Sequence, residues 1–141
     1  MTRRRALFVA TVPNTLTAFL LEYARYFQER GWTVDAAASG ISQSPLCGKT
    51  FDAVYDLAFA RTLWWPGNYT QGISQIASLV EKGRYDIVHV HSPIASVLTR
   101  FALRNNKSPL IVYTAHGFHF FKGNNFLRNR LYHTAEKIAA K

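Results

Sequence analysis

Arg84-Tyr-Asp-Ile-Val-His-Val-His-Ser-Pro93 is a β-branched apolar run that ends in histidine beside a helix breaker. A strand buried on both faces of a parallel sheet has this near-continuous apolar character. The stretch therefore predicts a parallel strand whose C-terminal edge carries His89 and His91, with Ser92-Pro93 opening the next helix. Residues two apart on a strand point to the same side, so the two imidazoles project together. Ile111-Val-Tyr-Thr-Ala-His-Gly-Phe-His-Phe-Phe-Lys-Gly123 repeats the pattern, its apolar run leading to His116 next to Gly117. Chemistry in open α/β sheets sits at the carboxyl edge of the strands. Two such edges side by side make an imidazole-lined crevice.

Outward from these two edges, strands and helices alternate. Ala6 to Val12 reads as the first, central strand, and Pro13-Asn14-Thr15 turns the chain into a helix over about Leu16 to Arg30. Leu16, Phe19, Leu20, Tyr23 and Phe27 fall at three-to-four spacing on one face of that helix, which Gly31 ends. Trp32 to Ala38 makes the second strand, a Ser/Gly/Pro loop follows through Gly48, and Phe51 to Leu57 reads as a short third strand. A loop carrying Trp64 and Trp65 leads to a helix over about Tyr69 to Lys82, with Ile73, Ile76, Ala77 and Val80 apolar. Helices over about Ile94 to Asn105 and Asn125 to Ala140 flank the Leu110 to Thr114 strand. This rhythm predicts an α/β domain, a mostly parallel sheet with helices on both faces.

The chain's 141 residues suit one domain with a substantial core, and a hydrophobic fraction of 48% with 14% aromatics excludes a disordered chain. Cys47 has no partner for an internal disulfide, and no apolar stretch approaches a spanning helix, so a cytoplasmic domain is expected. A formal net charge of +9 and a pI of about 10.1 imply attraction to something anionic, whether nucleic acid, nucleotide or lipid phosphate. Neither a G-x-G-x-x-G after the first strand nor a P-loop is present, which argues against a Rossmann oxidoreductase or an NTPase.

Phe8-Val-Ala-Thr-Val12, Tyr85-Asp-Ile-Val-His-Val-His-Ser-Pro-Ile-Ala95 with Thr99-Arg100, and Tyr113-Thr-Ala-His-Gly-Phe-His-Phe-Phe-Lys-Gly123 with Glu136-Lys137 carry a specific likeness. In order and spacing the chain resembles the N-terminal domain of bacterial family 4 glycosyltransferases, which are retaining GT-B enzymes of exopolysaccharide and capsule assembly. The resemblance implies a three-layer Rossmann-like domain over residues 1–141 that binds the acceptor. It implies too that a C-terminal domain, carrying an E-x7-E motif not found in this chain, holds the nucleotide-sugar donor. That donor is a substrate, and no cofactor is expected. The implied partners are a lipid-linked sugar acceptor, the donor domain and the inner face of the cell membrane. Nucleic acid is not among them.

His116 matches a family histidine in the cleft and is the catalytic candidate. A neutral imidazole can supply a hydrogen bond to the anomeric centre or the incoming hydroxyl, and Gly117 lets backbone approach a ligand closely. The competing reading is a histidine satisfied within its own loop. His91 is expected to line the acceptor cleft and His89 to be a structural hydrogen bonder, while His119 is open to either role. A zinc site on His89 and His91 lacks an evident carboxylate or thiol partner, and no metal is expected.

Arg61 and Asn68 match the family's R-x-P…N segment, where a guanidinium can clamp phosphate, and Lys122 matches a family lysine near the cleft. Thr11, Asn14 and Ser92 complete the acceptor-binding set that the resemblance implies. Trp64 and Trp65 can rest on a lipid interface or a sugar, or simply plug the domain edge. Arg128 and Arg130 lie on an amphipathic basic helix that can rest on an anionic membrane, or merely be solvated. Two rivals remain open: a sugar-nucleotide epimerase of the same build, and a basic module binding nucleic acid or an anionic surface.

Overall fold

In a computed structural model, which describes residues 3–116 and 125–139, five parallel strands form one sheet in the order β3-β2-β1-β4-β5. Strand β1 (Arg5–Val9) is central, flanked by β2 (Thr33–Ala38) and β4 (Ile87–His91), with β3 (Val54–Asp56) and β5 (Leu110–Thr114) outermost. The chain builds outward from β1 in one direction and then, from β4, in the other. The carboxyl edge between β1 and β4 is thus a topological switch point, where open α/β sheets bind ligands.

Alternation along β1 splits the core. Leu7 and Val9 face one layer, made by α4 (Ile73–Gly83) and α5 (Pro93–Ala102), and α6 (Phe126–Ala139) packs against it through Leu131 and Ala135. Ala6, Phe8 and Ala10 face the other layer, made by α1 (Pro13–Phe19), α2 (Leu21–Glu29) and α3 (Pro45–Thr50). Each large apolar side chain buried in these layers stabilises the fold by about 1.5–3 kcal/mol. The three-layer Rossmann-like architecture read from the sequence is the architecture found.

Several local expectations are corrected. The helix expected over Leu16 to Arg30 is two helices that meet at Leu20, where φ is −119° and ψ −6°. The buried stripe runs through Leu16, Leu20 and Ala24, while Phe19 and Tyr23 are exposed, so these two aromatics do not share the buried face assigned to them. The segment read as a loop through Gly48 contains α3, because the Ser44 hydroxyl accepts from Cys47 N at 3.4 Å and Pro45 supplies the first-turn φ. The third strand is only Val54–Asp56, and a π-turn (Asn68–Gly72) precedes α4.

At the amino edge, away from the crevice, Arg5, Asp35 and Tyr85 brace the sheet. The Asp35 carboxylate accepts from the Arg5 guanidinium at 2.7 Å and from the Tyr85 hydroxyl at 2.6 Å. Burial, and then the hydrogen bond to the carboxylate, raises the Tyr85 phenol above its ordinary range.

Candidate functional site

Strand pairing sets the geometry of the crevice. In the parallel register His89 lies opposite Val112 and His91 opposite Thr114, so β4 and β5 reach their carboxyl ends together. His89 and His91 sit on the face of the sheet shared with Phe8, which meets both imidazoles edge-on. Their rings lie 4.0 Å apart between centroids, as the alternation of a strand requires. The Nε2 of His89 is 2.8 Å from the Thr114 hydroxyl.

His91, only 1% exposed, reaches outward through Nδ1, which lies 3.1 Å from Nε2 of His116. The His116 ring is itself exposed; it lies 5.3 Å from the His91 ring between centroids, at 26° between the planes, and stacks on Phe19 at 4.5 Å with only 15° between the planes. Burial pushes the His91 pKa down to about 3, with His89 and then His116 adding to the effect. His89 is lowered for the same first reason, burial, and then by His116. The inner two imidazoles are neutral at neutral pH, so this edge offers hydrogen bonds rather than charge.

Ser92 joins this edge to the β1 edge. Its hydroxyl shares a 2.7 Å hydrogen bond with that of Thr11 and accepts from Thr11 N at 3.3 Å. Ser92 has a φ of 75°, a left-handed backbone that costs roughly 1–3 kcal/mol for a side-chain-bearing residue and recurs at ligand clamps. Directly after it α5 begins with no side-chain cap.

The structure thus brings together His91, His116, Ser92 and Thr11. Asn14 stands exposed in the first turn of α1. Arg61 is exposed on the loop between β3 and α4. Asn68 on the following π-turn is 0% exposed, its Oδ1 accepting from Ala60 N at 2.8 Å and its Nδ2 donating to Thr62 O at 2.6 Å. The Asn68 amide thus braces its own loop. Trp64 is 77% exposed, whereas Trp65 lies over Gly67, where an added Cβ would meet its ring at 2.2 Å. Arg130 is exposed on α6. Gly117, His119, Lys122 and the side chain of Arg128 lie outside the described residues.

Sequence reasoning missed Phe19 and Thr114 as partners of the imidazoles. The signal for Thr114 was available, because it ends its strand as His91 ends its own. Phe19 carried no such signal, since the helical period assigned it to the core. Among the described residues no group of three or more His, Cys, Asp or Glu is placed to hold a metal ion.

Residues 5–141 match the profile of the family described as glycosyl transferase 4-like. The chain belongs to that family. As a glycosyl transferase 4-like domain it is 35% identical over 136 residues to EpsD of Bacillus subtilis (strain 168), assigned to the glycosyltransferases, covering 95% of the chain and 34% of EpsD. It is 35% identical over 71 residues to the Escherichia coli UDP-Gal:alpha-D-GlcNAc-diphosphoundecaprenol alpha-1,3-galactosyltransferase, half of this chain and 18% of that enzyme. The glycosyl transferase 4-like chain thus spans about a third of the length of EpsD and less of the galactosyltransferase. Its fold is shared with a UDP-N-acetylglucosamine 2-epimerase, at a TM-score of 0.60 and 12% identity over 95% of the chain and 40% of the epimerase. No helix among the described residues is long and apolar enough to cross a membrane.

Proposed function

We propose that the chain is the acceptor-binding half of a retaining glycosyltransferase that moves a sugar from a nucleotide-sugar donor to a lipid-linked glycan in exopolysaccharide synthesis. The observation that carries this reading is the His91–His116 pair at the carboxyl edge, in a domain of the glycosyl transferase 4-like family. In that role His116, exposed at the mouth, hydrogen-bonds the reacting sugar, while the donor is held mainly by a second lobe. His91, Ser92 and Thr11 form the floor and the near wall behind it. Gly117, His119 and Lys122 continue the chain past His116 and belong to the same proposed acceptor site. Arg61 is the proposed contact to a phosphate of the acceptor or of the donor's leaving group.

Support for a lipid-linked acceptor comes from the Escherichia coli relative, whose name specifies a diphosphoundecaprenol-linked sugar. Such an acceptor places the enzyme at the cytoplasmic face of the membrane. Trp64 with Arg128 and Arg130 are the proposed contacts there, the arginines drawn to anionic headgroups and the indole to the interface. Trp65, 41% exposed, joins them.

The test is a transfer assay on the protein extended by its donor-binding lobe, with polyprenyl-diphosphate sugars as acceptors and a panel of nucleotide sugars. Transfer with retention of configuration, lowered at least 100-fold in kcat by His116→Ala, supports the proposal. Epimerisation of a UDP-sugar without acceptor, or transfer undiminished in His116→Ala, contradicts it.

A further inference from the structure

We propose that His91 is a positioning residue that fixes His116 as a hydrogen-bond donor, with the proton on Nδ1 facing the crevice. One nitrogen of His91 has no partner. The Nε2 of His91 is sealed from solvent and makes no hydrogen bond, while Nδ1 of the same ring faces Nε2 of His116 at 3.1 Å. A neutral imidazole carries one proton, and the hydrogen bond made by one nitrogen sets the state of the other. With the proton on Nε2, His91 would bury an N–H that has no acceptor, and orphaned buried N–H groups are rare. With the proton on Nδ1, the N–H is used in the bond to His116 and the sealed nitrogen carries only a lone pair.

That choice propagates outward. The His116 Nε2 must then accept, which leaves the neutral ring's single proton on Nδ1. Phe19 stacks on the His116 ring and His91 meets its Nε2 edge, so the ring is held by a face and by Nε2, and Nδ1 makes no hydrogen bond among the described residues. That nitrogen, the one turned away from the bond to His91, is a donor, suited to an oxygen that carries or gains negative charge, such as a sugar hydroxyl or a leaving-group oxygen. In this state His116 has no lone pair toward the crevice and does not abstract a proton. Calling that oxygen a sugar's rests on the transfer reading, whereas the position of the proton rests on the geometry alone.

The test is long-range ¹H–¹⁵N spectroscopy of the 141-residue chain labelled on histidine, at neutral pH without donor or acceptor. The expected spectrum shows His116 Nδ1 as a protonated, pyrrole-like nitrogen and Nε2 as a pyridine-like one. His91→Phe, which keeps an aromatic ring but removes the donor, is expected to move the His116 proton to Nε2, the site a free histidine prefers. His91→Asn, whose amide N–H can replace the Nδ1 donor, is expected to keep it on Nδ1. A wild-type spectrum with His116 protonated on Nε2 overturns the proposal whether or not the variants fold. A His91→Phe spectrum like that of the wild type overturns the assignment to His91. Because no sugar is present, either failure is separate from a failure of the transfer assay.

Discussion

The Ser92 hydroxyl lies 2.7 Å from the Thr11 hydroxyl, and this bond ties the carboxyl end of β4 to that of β1 across the switch point. Ser92 makes it from a left-handed backbone, φ 75°. Two substitutions separate the tie from the strain. Ser92→Ala loses both hydrogen bonds and keeps the unfavourable φ, so it should destabilise the chain by about 1–2 kcal/mol. Ser92→Gly loses the same bonds but relieves the strain, and should be the milder change by roughly 1 kcal/mol. Urea titration of both variants checks the order.

Acid should destabilise the chain through His91. Its native pKa, lowered to about 3, is below the ordinary 6.5, so the unfolded chain binds the proton first as pH falls. The contribution is absent above about pH 6.5 and grows downward toward pH 3, at no more than about 1.4 kcal/mol per pH unit for this group. His89, shifted the same way, adds to it, and the groups facing His91 are His89 and His116. Denaturant midpoints between pH 7.5 and 4.5 should fall in the wild type and fall less in His91→Phe. Parallel slopes in the two proteins would contradict this.

The Trp loop should depend on Asn68 rather than on either tryptophan. Asn68→Ala leaves Ala60 N and Thr62 O without their buried partner and should cost about 1–3 kcal/mol. Amide exchange should rise over the loop while the amides of β1 and β4 stay protected. Trp64→Ala, at a 77% exposed position, should change stability by less than about 0.5 kcal/mol.

Tyr85→Phe probes the opposite edge. It keeps the ring packed but takes one donor from an Asp35 carboxylate whose Oδ1 already lacks a partner. A loss of about 1–3 kcal/mol is expected, with no change at the crevice. Thermal unfolding gives the first quantity, and unchanged His116 resonances the second.

Much of this was legible in the chain because strand edges are short-range signals. Ile87–His91 and Leu110–Thr114 announced themselves by β-branched runs ending in polar residues, and a two-residue period then fixed the shared face of His89 and His91. Helix faces were less legible. The three-to-four spacing at Leu16, Phe19 and Leu20 is a real pattern, but the buried stripe continues from Leu16 through Leu20 to Ala24, and Phe19 lies beside it against His116. The α3 helix hid in a Ser/Gly/Pro segment because the cap that starts it uses the same residue types as a turn. The inward bonds of Asn68 had no sequence signal either, since only the folded loop shows which way a loop amide turns.

The central claim is that this domain receives the acceptor, and binding to the chain itself tests it most directly. Titration calorimetry with a short-chain polyprenyl-diphosphate sugar and, separately, with UDP-sugars compares the two ligand classes on one protein. Binding of the lipid-linked sugar that weakens at least tenfold in His116→Ala, with UDP-sugar affinity far lower, is the expected result. Tight UDP-sugar binding with no measurable affinity for the lipid-linked sugar would contradict the account.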